Sequence, residues 1–354
     1  MSFCDRFEDP ALRAMRDANI PGLAMATVSA NDSTNCCGWG LARRREPSPV
    51  TVDTPFLVAS VSKPVVAAVI AGLAERRMLA FDEAIDQYLP RPFRNPAFPE
   101  QAITLRMLLG HRASLADEPS DVHSTSTYSV GDHPTPLGRW LTNYFGLDGS
   151  HLPRGHGAER PNTDVLYSDI GYAMAAWIAE LAARMPFDEI ARALVFRPLG
   201  MTHSGFRLRD VLSAFPAVPY VGPVDSPLRP VQHYGYPFYP AGTLRTSVAD
   251  LARFIRGLLN DGSVDGKEWL SPATVHEMLP LEGPGLGWAR FPHIGRFVKG
   301  HEGGDLGAGA RVTLDLERRV GILVLGNSEW TASPIRSNAV AELEAIALSA
   351  DGNA

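Results

Sequence analysis

Stretches that read as strands occur only near the two ends of this chain, and that distribution limits the possible fold more than any other feature. Near the N-terminus, Gly22–Ser29 (GLAMATVS) is an apolar strand-like run, Asn31-Asp32-Ser33 has turn chemistry, and residues 36–41 can return as the second strand of a hairpin. Near the C-terminus, residues 295–301, 309–316 and 320–325 read as three successive strands, with Glu317-Arg318-Arg319 turning the second into the third. Between them the pattern is helices separated by long polar loops. Residues 82–90, 103–109, 171–185 and 247–259 are helical or end helices, the last opening on Ser247 as a cap and closing at Asn260-Asp261-Gly262. Further helices are expected over 8–18 and 334–349. The arrangement predicts an α/β (α+β) protein: one antiparallel sheet built from both chain ends and flanked by helices, with a mostly helical insertion. Its expected units are residues 1–75 with 280–354 for the sheet and 76–279 for the insertion, with a cleft between them.

One stretch in this frame carries chemistry. In Phe56-Leu57-Val58-Ala59-Ser60-Val61-Ser62-Lys63-Pro64, a hydroxyl and an amine sit three residues apart as an apolar helix begins. Pro64 belongs in a first turn, so the helix starts no earlier than about Ser60, and residues three apart on it share a face. Ser60 is then a nucleophile and Lys63 a base, the partial positive charge of the helix start pushing the amine toward neutrality. Serine is also a favoured cap, so the spacing alone does not decide. Lysine usage adds weight: of 33 basic side chains only Lys63, Lys267 and Lys299 are lysines. Arginine cannot be deprotonated in a protein and lysine can.

Composition excludes several functions. A net charge of −6 leaves no footprint for nucleic acid, Arg43-Arg44-Arg45 being the longest basic run, and no stretch reaches the length of a membrane span. Cys4, Cys36 and Cys37 are odd in number and two are adjacent, so they read as reduced structural residues. The N-terminal residues lack a basic segment followed by an apolar one, and a cytoplasmic enzyme is expected. His111, His123, His133, His151 and His156 cluster in a loop-rich region without helical ligand spacing, so no metal and no cofactor is expected. The aromatics of 233–239 could wall an acyl pocket, and the long polar stretch 117–164 could line or cover a site.

Ser60-Val61-Ser62-Lys63, then Tyr167-Ser168-Asp169, then His301-Glu302-Gly303, in that order and with a helical stretch between, resemble the three-motif set of the serine β-lactamase and penicillin-binding-protein superfamily. LRMLLGHRASL (105–115), FRPLGM (196–201), AGTLRTSVADL (241–251) and VGILVLGN (320–327) are similar to connecting segments of its class C-like branch, and the likeness spans about residues 10–330. The resemblance implies that Ser60 forms an acyl-enzyme and that Lys63 and Tyr167 share the proton work. It also implies an oxyanion hole from the backbone N–H groups of Ser60 and Gly304, with Asp169, His301, Glu302 and Gly303 on the substrate side.

Two departures from the family pattern matter. Asp169 stands where asparagine is commoner, and an anion there favours a charged Lys63, which makes Tyr167 the stronger base. His301 stands where penicillin-recognising members carry lysine, as in many esterase-like members. The expected function is acyl transfer from a small ester to water. A D-amino-acid amidase or peptidase and an acyltransferase are the alternatives of the same fold, and a non-catalytic binding or scaffold protein is the alternative of another class. The expected partner is a small-molecule ester or amide; the oligomeric state is not readable.

Overall fold

The computed structural model describes residues 2–30, 34–122, 124–147, 155–293 and 296–350. Helix α1 (Phe3–Asp17) begins earlier than the apolar spacing indicates because Ser2 and Asp5 close a reciprocal capping box. Strands β1 (Gly22–Ser29), β2 (Thr34–Arg43) and β3 (Ser48–Pro49) follow. The turn expected at 31–33 lies outside the described residues. Next come α2 (Ser62–Glu75), α3 (Asp169–Ala183) and α4 (Val248–Leu259). Strands β4 (Ala289–His293), β5 (Arg296–Asp305), β6 (Ala308–Asp315) and β7 (Val320–Gly326) complete the sheet, and α5 (Pro334–Ala350) ends the described chain.

The strands form one antiparallel sheet of seven in the order β4-β5-β6-β7-β1-β2-β3, so β1 joins the two chain ends at its centre. A central strand is covered on both faces, which is why β1 reads as a nearly unbroken apolar run. Alternation sends Leu23 and Met25 into one core with Phe7, Trp39, Trp330 and Leu343 from α1, β2 and the α5 region. It sends Ala24, Ala26 and Val28 into the larger core on the opposite face, where Ile255 and Leu259 of α4 approach Gly321 of β7. Helices α2 and α3 belong to that larger core and are buried almost all round.

Several expectations shift. Residues 82–90 form only a single tight turn, Ile85–Gln87, in which the Asp86 carboxylate accepts from the Phe93 N–H and pairs with Arg94. Strand β4 has no counterpart in the sequence reading. The first C-terminal strand, expected over 295–301, continues to Asp305, so Glu302 to Gly304 also lie within it; residue 295 lies outside the described residues.

The cysteine reading is corrected. Cys4 and Cys37 form a disulfide, their Cα atoms 5.7 Å apart, and only Cys36 is free. Helix α1 lies on β2, and alternation along β2 turns Cys37 toward that helix and Cys36 toward the other core. Adjacency in sequence therefore did not pair them; the sheet's two faces separated them. Because the bridge spans 33 residues of sequence, opening it is expected to lower the unfolding free energy by about 3–4 kcal/mol on the chain-entropy account. Urea midpoints with and without dithiothreitol, and for Cys4→Ser, measure this; identical midpoints in both redox states would exclude the bridge.

Candidate active site

The site begins where the chain turns from an edge contact into α2. Phe56–Leu57 pairs with Arg245–Thr246, and the next turn, Ala59–Val61, is a 3-10 turn in which Ala59 takes φ 45°. A non-glycine residue in that left-handed region is strained, and it stands immediately before the candidate nucleophile. The Ser62 hydroxyl secures the turn, donating to the Ala59 carbonyl at 2.6 Å and accepting from the Leu244 N–H at 3.1 Å. Ser60 makes no capping bond, so the commonest competing role for a serine here is not the one it has.

Lys63 lies in the first turn of α2 with its side chain wholly buried. Its ammonium donates to Ser60 Oγ at 2.9 Å and to the Ala241 carbonyl at 3.0 Å, and it lies 2.5 Å from Asp169 Oδ1 as an ion pair. Burial works to strip the proton, but the Asp169 charge, followed by Tyr167, outweighs it, and the Lys63 pKa is raised above its ordinary value. The helix-start effect, which alone would favour a neutral amine, is overridden because a carboxylate in contact is far stronger than a fractional charge.

Tyr167 ends the segment leading into α3, whose N-terminus is fastened by two side chains. Ser168 caps Gly171 N–H at 3.0 Å, and Asp117 accepts from the Ser168 hydroxyl, the Asp169 N–H and the Ile170 N–H. Tyr167 donates to Ser60 Oγ at 2.8 Å. Its residue surface is 46% exposed, yet the hydroxyl end is enclosed by Ser60 and Lys63. Burial there, with Asp169, raises the phenol pKa above its ordinary value, and the Lys63 ammonium offsets only part of that rise. His111 stacks on the ring at 4.3 Å between centroids. Burial, then the Lys63 charge, lowers His111 to about 2, and its Nδ1 accepts from the Ser168 N–H at 3.0 Å. Neutral His111 thus positions Tyr167.

Strand β5 supplies the other wall. His301 is buried, and burial followed by Lys63 lowers its pKa to about 4. Its Nδ1 lies 2.8 Å from the Glu302 carbonyl, which can only accept, so the proton sits on Nδ1 and Nε2 is left as an acceptor. At Gly303 the sheet meets the turn: a Cβ there would overlap the Val58 carbonyl oxygen and lie 3.1 Å from the Ser60 nitrogen. The two-residue loop Leu306-Gly307 is closed by the pair Asp305 and Ala308. Alternation from that closing pair turns the Gly304 N–H away from β6, and β4 has already ended opposite Gly300. That edge of β5 is open beside Ser60.

Ser60, Lys63, Tyr167, Asp169, His301, Gly303 and Gly304 are thus brought together, and Glu302 is not. Glu302 pairs with Arg311 on β6, which also meets Ser337 and Glu344 of α5, on the sheet face opposite the cluster. A residue between two cleft-facing positions of a strand must point the other way. The sequence reading missed three contributors: His111 as the ring under Tyr167, Asp117 as the α3 fastener, and the Ala241 carbonyl. His111 reads from sequence only as a loop histidine and part of a connecting segment, Ala241 lies in a segment singled out as a connection, and a backbone carbonyl leaves no residue-type signal. Among the described histidines, His156 packs between Phe93 and Phe145 and His133 accepts from the Thr135 N–H; His123 and His151 lie outside the described residues. Among the described residues no group of three or more His, Cys, Asp or Glu could hold a metal ion.

Comparison with known proteins bears on the whole chain. The family model described as Beta-lactamase matches residues 9–346. Penicillin-binding protein 4* of Bacillus subtilis (strain 168) is 27% identical over 315 residues, and the match covers 82% of this chain but only 64% of that protein. The octameric penicillin-binding protein homologue from Pyrococcus abyssi superposes with a TM-score of 0.76 at 20% identity, over 97% of this chain and 78% of that one. A beta-lactamase/D-alanine carboxypeptidase from Pseudomonas syringae gives 0.75 at 20% identity, over 97% and 98%. At such identities the two structures carry the fold.

The Lys63–Asp169 contact makes a titration prediction. Asp169 raises the pKa of both Lys63 and Tyr167, so Asp169→Asn is expected to move the alkaline ionisation in the pH profile of kcat/KM to lower pH, by about one unit or more. A profile superimposable on that of the parent protein would exclude the coupling.

Proposed function

The chain belongs to the beta-lactamase family, and on that footing we propose that it is a serine hydrolase working through a Ser60 acyl-enzyme on a small ester. The observation that carries this reading is the pair of hydrogen bonds aimed at one oxygen: Ser60 Oγ lies 2.9 Å from Lys63 Nζ and 2.8 Å from the Tyr167 hydroxyl. Lys63, kept as an ammonium, is the electrostatic partner, and Tyr167 is the proton carrier.

In the acylation step the phenolate form of Tyr167, a minor form because its pKa is raised but one held against the Lys63 ammonium, takes the Ser60 proton while Oγ bonds to the substrate carbonyl carbon. The negative charge that develops on the carbonyl oxygen meets the N–H groups of Ser60 and Gly304. Tyr167 then returns the proton to the departing alcohol oxygen as the ester bond breaks. Deacylation repeats the sequence with water as nucleophile, and Ser60 recovers its proton.

The ester reading rests on His301. A neutral imidazole with Nε2 as acceptor offers no cation for a substrate carboxylate, and a neutral ester needs none. Hydrolysis of an amide is the second reading, favoured by the structural likeness to a protein described as a D-alanine carboxypeptidase. The substrate would enter between the sheet unit, 1–75 with 280–354, and the insertion, 76–279. Among the described residues no helix is long and apolar enough to cross a membrane. The Cys4–Cys37 bridge favours a non-reducing compartment over the cytoplasm that reduced cysteines would fit.

Intact-mass measurement after a fluorophosphonate, a penicillin, and a panel of esters and amides tests the proposal. A single added phosphonyl group is expected in the parent protein and none in Ser60→Ala, whose ester turnover should fall by roughly 10,000-fold or more. No adduct, or the same adduct in Ser60→Ala, would contradict the assignment, and absence of all turnover would favour a scaffold. Faster amide than ester turnover would favour the second reading.

A further inference from the structure

Two residues beyond Gly303 on the cleft-facing side of β5 stands a carboxylate with no part in the acyl-transfer steps, Asp305. Its Oδ1 accepts the Tyr128 hydroxyl at 2.8 Å and the Leu306 N–H at 2.7 Å. Tyr128 stacks on Tyr234, 4.8 Å between ring centres and 8° between planes, and leans on Tyr236 at 5.2 Å. The Tyr234 hydroxyl donates to the Leu306 carbonyl at 3.0 Å, which ties this aromatic group to the β5–β6 hairpin. The Tyr236 hydroxyl occupies the space a Cβ on Gly242 would need, against Ala59, so the group adjoins the turn that carries Ser60.

Asp305 and Tyr128 are half-buried, and among the described residues no cation forms a salt bridge with Asp305, though the buried Arg245 feels its charge. A partly desolvated carboxylate without a counter-ion in contact is costly, and two hydrogen-bond donors relieve only part of that cost. A carboxylate oxygen at the hydroxyl edge of an aromatic group is chemistry that holds an ammonium group through charge-assisted hydrogen bonds.

The side of the cleft can also be assigned. Tyr167 must lie where it can hand a proton to the leaving group, and it sits by His301, with 6.4 Å between ring centres. His301 and Asp305 stand two residues to either side of Gly303, each roughly 7 Å along the strand. With the leaving group on the His301 side, the acyl group extends toward Asp305. Building on the Ser60 acyl-enzyme reading, we propose that Asp305, beside Tyr128, binds an ammonium group on the acyl part of the substrate, so that amino-acyl esters or amides are preferred over neutral ones.

The test compares ethyl esters of D- and L-phenylalanine with ethyl 3-phenylpropanoate, which has the same shape without the amine. The quantity read is the ratio of kcat/KM for amino and desamino esters near pH 6, where the amine is charged. Asp305→Asn keeps an oxygen that accepts from Tyr128 and removes the charge, so the ratio for the preferred enantiomer is expected to fall by on the order of 10-fold. Intrinsic activation of the ester by its ammonium cancels in that change. In the parent protein the same ratio should decline as pH rises through the amine's own pKa, a readout that needs no variant. A ratio unchanged in Asp305→Asn, both esters slowing together, would reduce Asp305 to an anchor for Tyr128 and overturn the proposal; so would a parent ratio independent of pH. Failure of the underlying reading looks different, because neither ester would turn over and no fluorophosphonate adduct would form on Ser60.

Discussion

The buried contact between Lys63 and Asp169 is the interaction on which the rest of the site depends. A wholly buried ammonium without a partner would lose its proton. Together Lys63 and Asp169 hold opposite charges at 2.5 Å and fix the start of α2 against the start of α3. Removing one partner of such a pair leaves an uncompensated charge in a dry place, at a cost of about 3–5 kcal/mol. The pair therefore sets protonation and geometry at once: Lys63 is held charged, and in the proposed mechanism the proton travels through Tyr167. Arginine could have supplied that charge but not the compact head that reaches Ser60, Ala241 and Asp169 from one atom.

Around that pair the fold brings three pieces of backbone to one point. The strained turn at Ala59 presents Ser60, the fastened end of α3 presents Tyr167, and β5 comes up against the turn where Gly303 has no side chain. Each piece is rigid for a local reason: the Ser62 hydroxyl, the Asp117 carboxylate and the sheet pairing of β5 with β6. Rigid supports let hydrogen bonds act without reorganisation when charge develops, which is the condition under which an oxyanion hole is effective.

Much of this was legible in the residues themselves. The apolar run Gly22–Ser29 announced a strand, Ser247 a helix start, and the spacing of Ser60 and Lys63 two side chains within reach of each other, because each rests on a local rule of periodicity or capping. The outward direction of Glu302 was also written in the sequence, since a strand that turns His301 and Gly303 inward must turn Glu302 outward. The rest depends on distances across the fold. The Cys4–Cys37 pairing needs α1 laid on β2, and the Lys63–Asp169 contact, made across more than a hundred residues, is expected only through the family resemblance and not from local rules. Strand β4, with Pro292 inside it, becomes a strand only because β5 offers an edge for it to pair with.

The central claim is that Lys63 remains an ammonium while Tyr167 carries the proton. With only three lysines in the chain, labelling with carbon-13 and nitrogen-15 lysine gives a spectrum in which Lys63 can be assigned using Lys267→Arg and Lys299→Arg. Following the ε-carbon and ζ-nitrogen shifts from about pH 6 to about pH 10 reads the protonation state directly. The account predicts that Lys63 keeps its ammonium shifts over the whole range. A transition to the neutral amine near neutral pH would contradict it and would make Lys63 the base.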